Sequence, residues 1–244
     1  HQKNPCKVPL HPNKVYYKSQ KRRFTDTEIK PILFYEVIFL YIPKYYAITD
    51  AEEIMDFVQA NSFGTIVMTL QGKPVATHLP MQVTRTGNTC YISGHLAYGN
   101  PLRKAFESGG DALAIFQGAN AYISSSWYKD ENVPTWNYQA VHMYGKPSII
   151  ENEELIEDLT ALLEKYEQHR ENPVLWDTLS PDLLEKEMKG IVGFKFRVEE
   201  IQAAYKMSQN RNKTDYANII GHLQKEKPEQ AKQMAEQMKK RAGH

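Results

Sequence analysis

"FGTIVMTLQGKPVATHLPMQVTRTGNTCYISGHL", residues 63–96, sets apolar or β-branched side chains at every second position for most of its length and breaks that alternation at two turn signals. A period of two belongs to a half-buried strand, whereas a helix needs apolar residues three and four apart. "FGTIVMTL" (63–70) and "VATHLPMQV" (75–83) therefore read as a hairpin across "QGKP", and "TRTGN" (84–88) turns the chain into a third strand, "TCYISGHL" (89–96). Upstream, Thr49 with Glu52 forms a capping box for a short amphipathic helix over 50–60, carrying Ile54, Phe57 and Val58 on one face. Downstream, Asn100-Pro101 opens a helix that runs to Glu107 and stops at Gly109-Gly110. "DALAIFQG", "AYISSSWY" and "NYQAVHMYGKPSII" supply three more strands. Six or so short strands with one inserted helix favour a closed antiparallel barrel over a βαβ sheet.

From Glu151 the period changes. Leu155, Leu159, Leu162, Leu163 and Tyr166 mark a helix, and "SPDLLEKEMKG" marks another with Ser180 as cap and Pro181 in its first turn. The chain returns to strand over 191–208 and ends in two helices, about 213–224 and 228–241, the second with a Lys/Arg-rich last turn. The expectation is a mainly β, α+β protein: one barrel domain over 40–244 decorated by helices, with a separate C-terminal helical module as the alternative.

The formal charge of +1 demands no polyanionic partner. It hides an uneven distribution, because residues 1–39 carry eight lysines and arginines against three carboxylates. This stretch lacks sustained periodicity, and the chain opens on His1 rather than Met. Two readings stay open: a translated leader upstream of a non-ATG start at Leu40, or a mobile basic arm. Cys6 and Cys90 are too few for a disulfide framework and lack partners at metal-ligand spacing, which fits a reducing, cytoplasmic compartment. "PILFYEVIFLYIP" (31–43) contains Glu36 and is too short to span a bilayer.

No nucleophile elbow, phosphate-binding glycine loop, dinucleotide fingerprint or paired-carboxylate motif occurs, so no catalytic residue is assigned. His78, His95 and His142 lie on different expected strands without a zinc-ligand set around them, and hydrogen-bonded structural histidines are their plain reading. "SSSWYKDENVPTWNYQAVHMYG" (124–145) is different: it crowds Trp127, Tyr128, Trp136 and Tyr138 beside Ser124, Ser125, Ser126, Thr135, Asn137 and His142. Aromatic walls with a few fixed donors and acceptors suit a flat cofactor, although alternating aromatics also line barrel interiors. Asn100, at a strand-to-helix junction beside Arg103 and Lys104, offers a phosphate site, and Ser208, Gln209, Asn210 and Arg211 add amides and a guanidinium. Together they point to a flat-ring-plus-phosphate ligand such as FMN.

The same residues carry a family resemblance. "YIPKYY", "GKPVATHLP", "GHLAYGNP", "SSSWY", "VPTWNYQAVHMYG", "KGIVGF" and "KMSQNR", in this order, resemble the PaiB family of FMN-binding negative transcriptional regulators from Gram-positive bacteria, from Tyr41 to the C-terminus. The resemblance implies a split β-barrel of the FMN-binding type, akin to pyridoxamine phosphate oxidases and flavin reductases. It also implies a cytoplasmic homodimer with FMN at the subunit interface, repressing protease-synthesis and sporulation genes. Carried onto this chain, the implied pocket comprises His78, His95, Asn100, Trp127, Tyr128, Thr135, Trp136, Asn137, Tyr138 and His142, with Ser208, Gln209 and Asn210. Tyr98 stands where relatives often carry a basic residue, which leaves phosphate neutralisation to Arg103 or Lys104.

Three functions follow from different features. A regulator acts on promoter DNA directly or through another protein, but no recognition helix is evident and only the last helix has a basic face. A flavin-dependent oxidoreductase needs only a cofactor held in place, with His95 and His142 as acid-base candidates by exclusion. A flavin- or haem-sensing switch would couple an interface pocket to dimer geometry.

Overall fold

The computed structural model describes residues 42–87 and 89–242. The basic stretch 1–39, the Leu40 start and most of the apolar run 31–43 lie outside the described residues. Helix α1 (Ala51–Ala60) is capped by Asp50, whose carboxylate accepts the Glu53 N–H at 2.8 Å. The box expected on Thr49 is thus displaced by one residue, to a side chain whose negative charge also suits a helix N-terminus.

Strands β1 (Phe63–Leu70) and β2 (Lys73–Pro80) are joined through Gln71 and Gly72, both at positive φ (51° and 74°). Two left-handed residues make the tight turn that matches strand twist, which is why β2 begins two residues earlier than the sequence reading had it. The strand expected over 75–83 is broken at Met81. Its N–H donates to the Ser62 carbonyl at 2.8 Å, one step further along the β1–β2 register, and its side chain is buried; beyond it the chain changes partner, and β3 (Gln82–Thr86) pairs with β4 (Thr89–Ala97). After the six-residue α2 (Leu102–Glu107), the two strands expected over 111–128 are one, β5 (Ala112–Ile123), continued through a register shift between Gln117 and Asn120. The strand expected over 137–150 is instead divided into β6 (Thr135–Gly145) and β7 (Ser148–Ile150), flanking Pro147, which has no N–H for a ladder. Then come α3 (Asn152–Glu167), α4 (Pro181–Met188), β8 (Ile191–Lys206), α5 (Lys213–Leu223) and α6 (Glu229–Ala242). Among the described residues there are eight strands, against six or so expected over 63–150 and one more over 191–208.

The strand order is β2-β1-β5-β6-β8-β4-β3, with β7 also on β8, and every pairing is antiparallel. Strand β8 belongs to two half-sheets: Ile191–Arg197 pair with β4, and Val198–Lys206 pair with β6. The path begins and ends on β2 and β3, the two strands that meet at Met81, so the sheet curls round without a closing ladder. Ile66, Met81, Ile92, Ala114, Phe116, Val141, Met143, Phe194 and Phe196 fill its interior. Helices α5 and α6 share this core through Ile219, Leu223, Met234 and Met238, and the Tyr216 hydroxyl donates to the Met238 carbonyl at 2.9 Å.

Helix α3 docks on the other half-sheet through a polar contact as well as an apolar one. Gly193 admits Leu155 and Ile150 so closely that a Cβ there would lie 2.6 Å and 2.7 Å from their side chains. Beside them, Asp158 Oδ1 accepts from the Ser93 hydroxyl and from Gln82 Nε2, the latter at 2.8 Å, while Gln82 also donates to the Asp158 carbonyl at 2.7 Å. Burial pushes the Asp158 carboxyl above the usual carboxylate range, against the opposing pull of Ser93, His95, Gln82 and Lys195. Burial lowers His95, which Asp158 partly offsets.

A carboxyl raised by folding stabilises the fold fully below its unfolded pKa, and that stabilisation is lost as pH rises through the folded value. The Tm difference between Asp158→Asn and wild type should therefore shift in favour of the variant as pH rises from about 4. Asp158→Ala orphans the buried Ser93 hydroxyl and should cost about 2 kcal/mol by denaturant melts at pH 7, more than Asp158→Asn.

Candidate functional site

Along β6 successive side chains face opposite ways. Asn137, Gln139, Val141 and Met143 are buried, while Trp136 and Tyr138 are exposed and His142 and Tyr144 half-buried. The register aligns this outer face with its neighbours. His78 on β2 sits opposite Thr65 on β1, Thr65 opposite Ile115 on β5, Ile115 opposite His142, and His142 opposite Gln202 on β8. One row of five residues thus crosses five strands with side chains on one side, since directly paired residues share a face. His78 Nδ1 and the Thr65 hydroxyl are 2.8 Å apart. The adjacent row contains Val67, Leu113 and Tyr144, with the Tyr144 hydroxyl donating to Gln202 Oε1 at 3.3 Å. Burial lowers the His142 pKa, so its imidazole is neutral at pH 7 and offers one donor and one acceptor.

Trp136, 51% exposed, extends the face towards the start of β6. Its indole N–H donates to Asn120 Oδ1 at 3.3 Å and its ring leans on Tyr122 with centroids 6.0 Å apart. These residues, with Trp127, Ser124 and the segment round Pro228, line a hollow of about 450 Å³. Trp127 stacks on the His222 ring at 5.1 Å with the planes parallel, which fixes the indole from the α5 side.

Other expected site residues serve the scaffold. The Asn137 amide is fully buried and clasps the Ser208 hydroxyl, 3.0 Å from Nδ2 and 3.1 Å from Oδ1. Gln209 accepts the Met207 N–H at 2.7 Å and donates to the Tyr205 carbonyl, closing the turn on itself. Tyr128 is buried beneath the Arg211 guanidinium, 4.6 Å above its ring. Thr135 accepts from Lys206 Nζ at 2.6 Å, and together with Asn137, Ser208, Asn210 and Arg211 these two line a second hollow of about 210 Å³.

Asn100 caps α2 as expected of it: Oδ1 accepts the Leu102 N–H at 3.0 Å and Nδ2 donates to the Thr77 hydroxyl at 3.0 Å. Arg103 is engaged with Glu107 at 2.6 Å and lies over the Tyr98 ring at 4.7 Å, whereas Lys104 is exposed without an ion-pair partner among the described residues. His95 faces the α3 contact, its Nδ1 buried without a hydrogen bond. The structure therefore gathers His78, His142, Trp136 and Tyr138 on one face, and Thr135, Asn137, Ser208 and Asn210 at one strand end. Sequence reasoning missed Thr65, Thr77, Lys206 and His222. Lys206 was legible as the first residue of "KMSQNR", but the threonines are placed only by strand register.

A family model described as "Putative FMN-binding domain" matches residues 40–200. The chain is 66% identical over 199 residues to "Protease synthase and sporulation protein PAI 2" of Bacillus subtilis (strain 168), covering 82% of this chain and 96% of that protein. Two solved structures share the fold: the flavocytochrome Anf3 from Azotobacter vinelandii (TM-score 0.52, 20% identity, 72% of this chain and 78% of that one) and the FAD and haem binding protein from Mycobacterium smegmatis (TM-score 0.50, 17% identity, 70% and 79%). The match over residues 40–200 and the 66% identity to PAI 2 show that the chain belongs to the PaiB family and carries its FMN-binding domain.

Proposed function

We propose that the protein is an FMN-binding negative regulator of protease-synthesis and sporulation genes, working as a homodimer whose flavin lies on the outer sheet face along the His78–His142 row. The observation that carries the reading is the 66% identity to PAI 2 of Bacillus subtilis over 96% of that protein's length. The geometry agrees with it. Phe63, Tyr122, Trp136 and Tyr138 leave large apolar surfaces exposed on one side of the sheet, a quantity of bare aromatic area that calls for a ligand or partner. A flat ring held between two such faces would cover them, with the neutral His142, the His78–Thr65 pair and Gln202 within the rows that read its polar edge.

Control of transcription through a second protein fits the charge distribution better than direct reading of DNA. Helix α6 buries Ala231, Met234, Ala235 and Met238 in the core. Most of its cations are engaged, Lys232 with Glu229, Lys239 with Glu236 at 2.7 Å and Arg241 with Glu53 at 2.8 Å, which among the described residues leaves Lys240 alone without an ion-pair partner on this helix. A recognition element needs a free basic stripe. A flavin whose redox state or occupancy alters the dimer surface supplies the alternative signal.

Purified protein incubated with FMN and desalted should keep flavin absorption, and Trp136→Ala or His142→Ala should weaken FMN binding about tenfold or more while leaving the circular dichroism spectrum unchanged; a wild-type chain that emerges colourless refutes the flavin reading. Sedimentation of the FMN-loaded protein should give a dimer, and a monomer at micromolar concentration would remove the interface from the proposal. In gel-shift assays the protein alone should bind the promoters of protease genes no better than random duplex across a range of salt, and a salt-sensitive preference would instead make the regulator a direct one.

A further inference from the structure

We propose that the hollow of about 210 Å³ at the ends of β6 and β8 is a binding site for a tetrahedral oxyanion, in the first place the phosphate of a phosphomonoester. Pockets for whole drug-sized ligands run from about 300 to 1,000 Å³, so this one suits a head group rather than an entire nucleotide. Its lining holds two cations, Lys206 and Arg211, and no carboxylate. Tyr46, Thr135, Asn137, Ser208 and Asn210 complete it.

Neither Lys206 nor Arg211 has an ion-pair partner among the described residues, and both line the same hollow. Asp215, four residues beyond Arg211, is already occupied: its oxygens accept the Lys129 N–H and Asn212 Nδ2, each at 2.8 Å. Nor are the two cations loosely held. Lys206 Nζ donates one proton to the Thr135 hydroxyl at 2.6 Å and keeps two, and the Tyr128 ring under Arg211 at 4.6 Å fixes the guanidinium plane while leaving its edge donors free.

The backbone is bent to bring them together. Ser208 is buried at φ 61°, a left-handed conformation unfavourable for serine, and the Arg211 N–H returns to the Ser208 carbonyl at 3.0 Å. Such strain persists where the surroundings over-determine it, often at ligand sites, and here the Asn137 clasp on the Ser208 hydroxyl supplies the restraint. Thr135, Asn137, Ser208 and Asn210 also belong to the pocket that the family resemblance implies, so the site either deepens the flavin reading or stands apart from it; Thr135 lies seven residues from His142 along β6, about 23 Å at the usual strand rise.

The test is calorimetric titration of the full chain with inorganic phosphate at low ionic strength, followed by FMN and riboflavin. Wild type should bind phosphate saturably. Lys206→Gln and Arg211→Gln should each weaken it about tenfold or more, Lys206→Arg should retain it, and Lys189→Gln, at the end of α4 and paired with Glu185, should leave it unchanged. Should Lys206→Gln also weaken FMN but not riboflavin, the occupant is the flavin's own phosphate, contributed across a dimer; unchanged FMN affinity identifies a separate phosphomonoester site. Phosphate binding without any flavin binding would sink the flavin reading and leave this one standing. The oxyanion site itself is overturned if wild type shows no saturable phosphate binding, or if Lys189→Gln weakens it as much as Lys206→Gln. If Arg211→Gln unfolds, the comparison of Lys206→Gln with Lys206→Arg decides.

Discussion

Strand β8 is the constraint on which the architecture turns. Its first half hydrogen-bonds to β4 and its second half to β6, so one continuous backbone ties the half-sheet that carries α3 to the half-sheet that carries the outer aromatic face. The burial pattern changes along it accordingly: Val192, Phe194 and Phe196 alternate into the barrel, whereas Gln202 to Tyr205 are buried in succession where the N-terminal segment bridges to the strand's other edge through Ala47 and Ala204. A strand covered on both edges and both faces reads as a continuous run rather than an alternating one. Disturbing β8 would therefore reach both the core and the candidate site.

The same strand pairings explain why polar residues in one short segment divide into two roles. The period of two on β6 sends Trp136, Tyr138 and His142 to one side and Asn137 and Gln139 to the other, although all five sit within seven residues. The inward amide of Asn137 is fully buried and bonded to the Ser208 hydroxyl, and by this it holds the turn that ends β8. The outward residues need no such partners for folding, and a side chain spared by folding is available to a ligand. Chemistry and scaffold are interleaved residue by residue, not segregated into separate motifs.

Much of the fold was legible because the alternation over 63–96 and the change of period at Glu151 are local signals. β1 lies where the pattern puts it, and the helices over 152–167, 181–188, 213–223 and 229–242 begin within a residue or two of their expected starts. The misses are places where tertiary context overrides the local pattern. At Met81 the alternation of burial runs on but the chain changes partner from β1 to β4, and β5 passes through a bulge that the glycine at 118 made look like a turn. The site was half legible: ring-bearing residues advertise themselves, but the row linking His78, Thr65, Ile115, His142 and Gln202 exists only once register is known.

Register also separates the two kinds of positive charge on this protein. Arg103 stands one helical turn from Glu107, so its neutralisation is built into the local sequence and holds in any environment that keeps α2 helical. Lys206 and Arg211 are flanked by amides and hydroxyls, and the carboxylate nearest in sequence, Asp215, is committed to two N–H donors of its own. Two cations converging on a polar hollow repel each other, a cost that an anion would reverse. Folding alone provides no counter-charge there, whereas it does so for most ionic side chains around α6. An uncompensated pair, held by a strained serine and an aromatic ring, is thus better explained by what it binds than by what it stabilises.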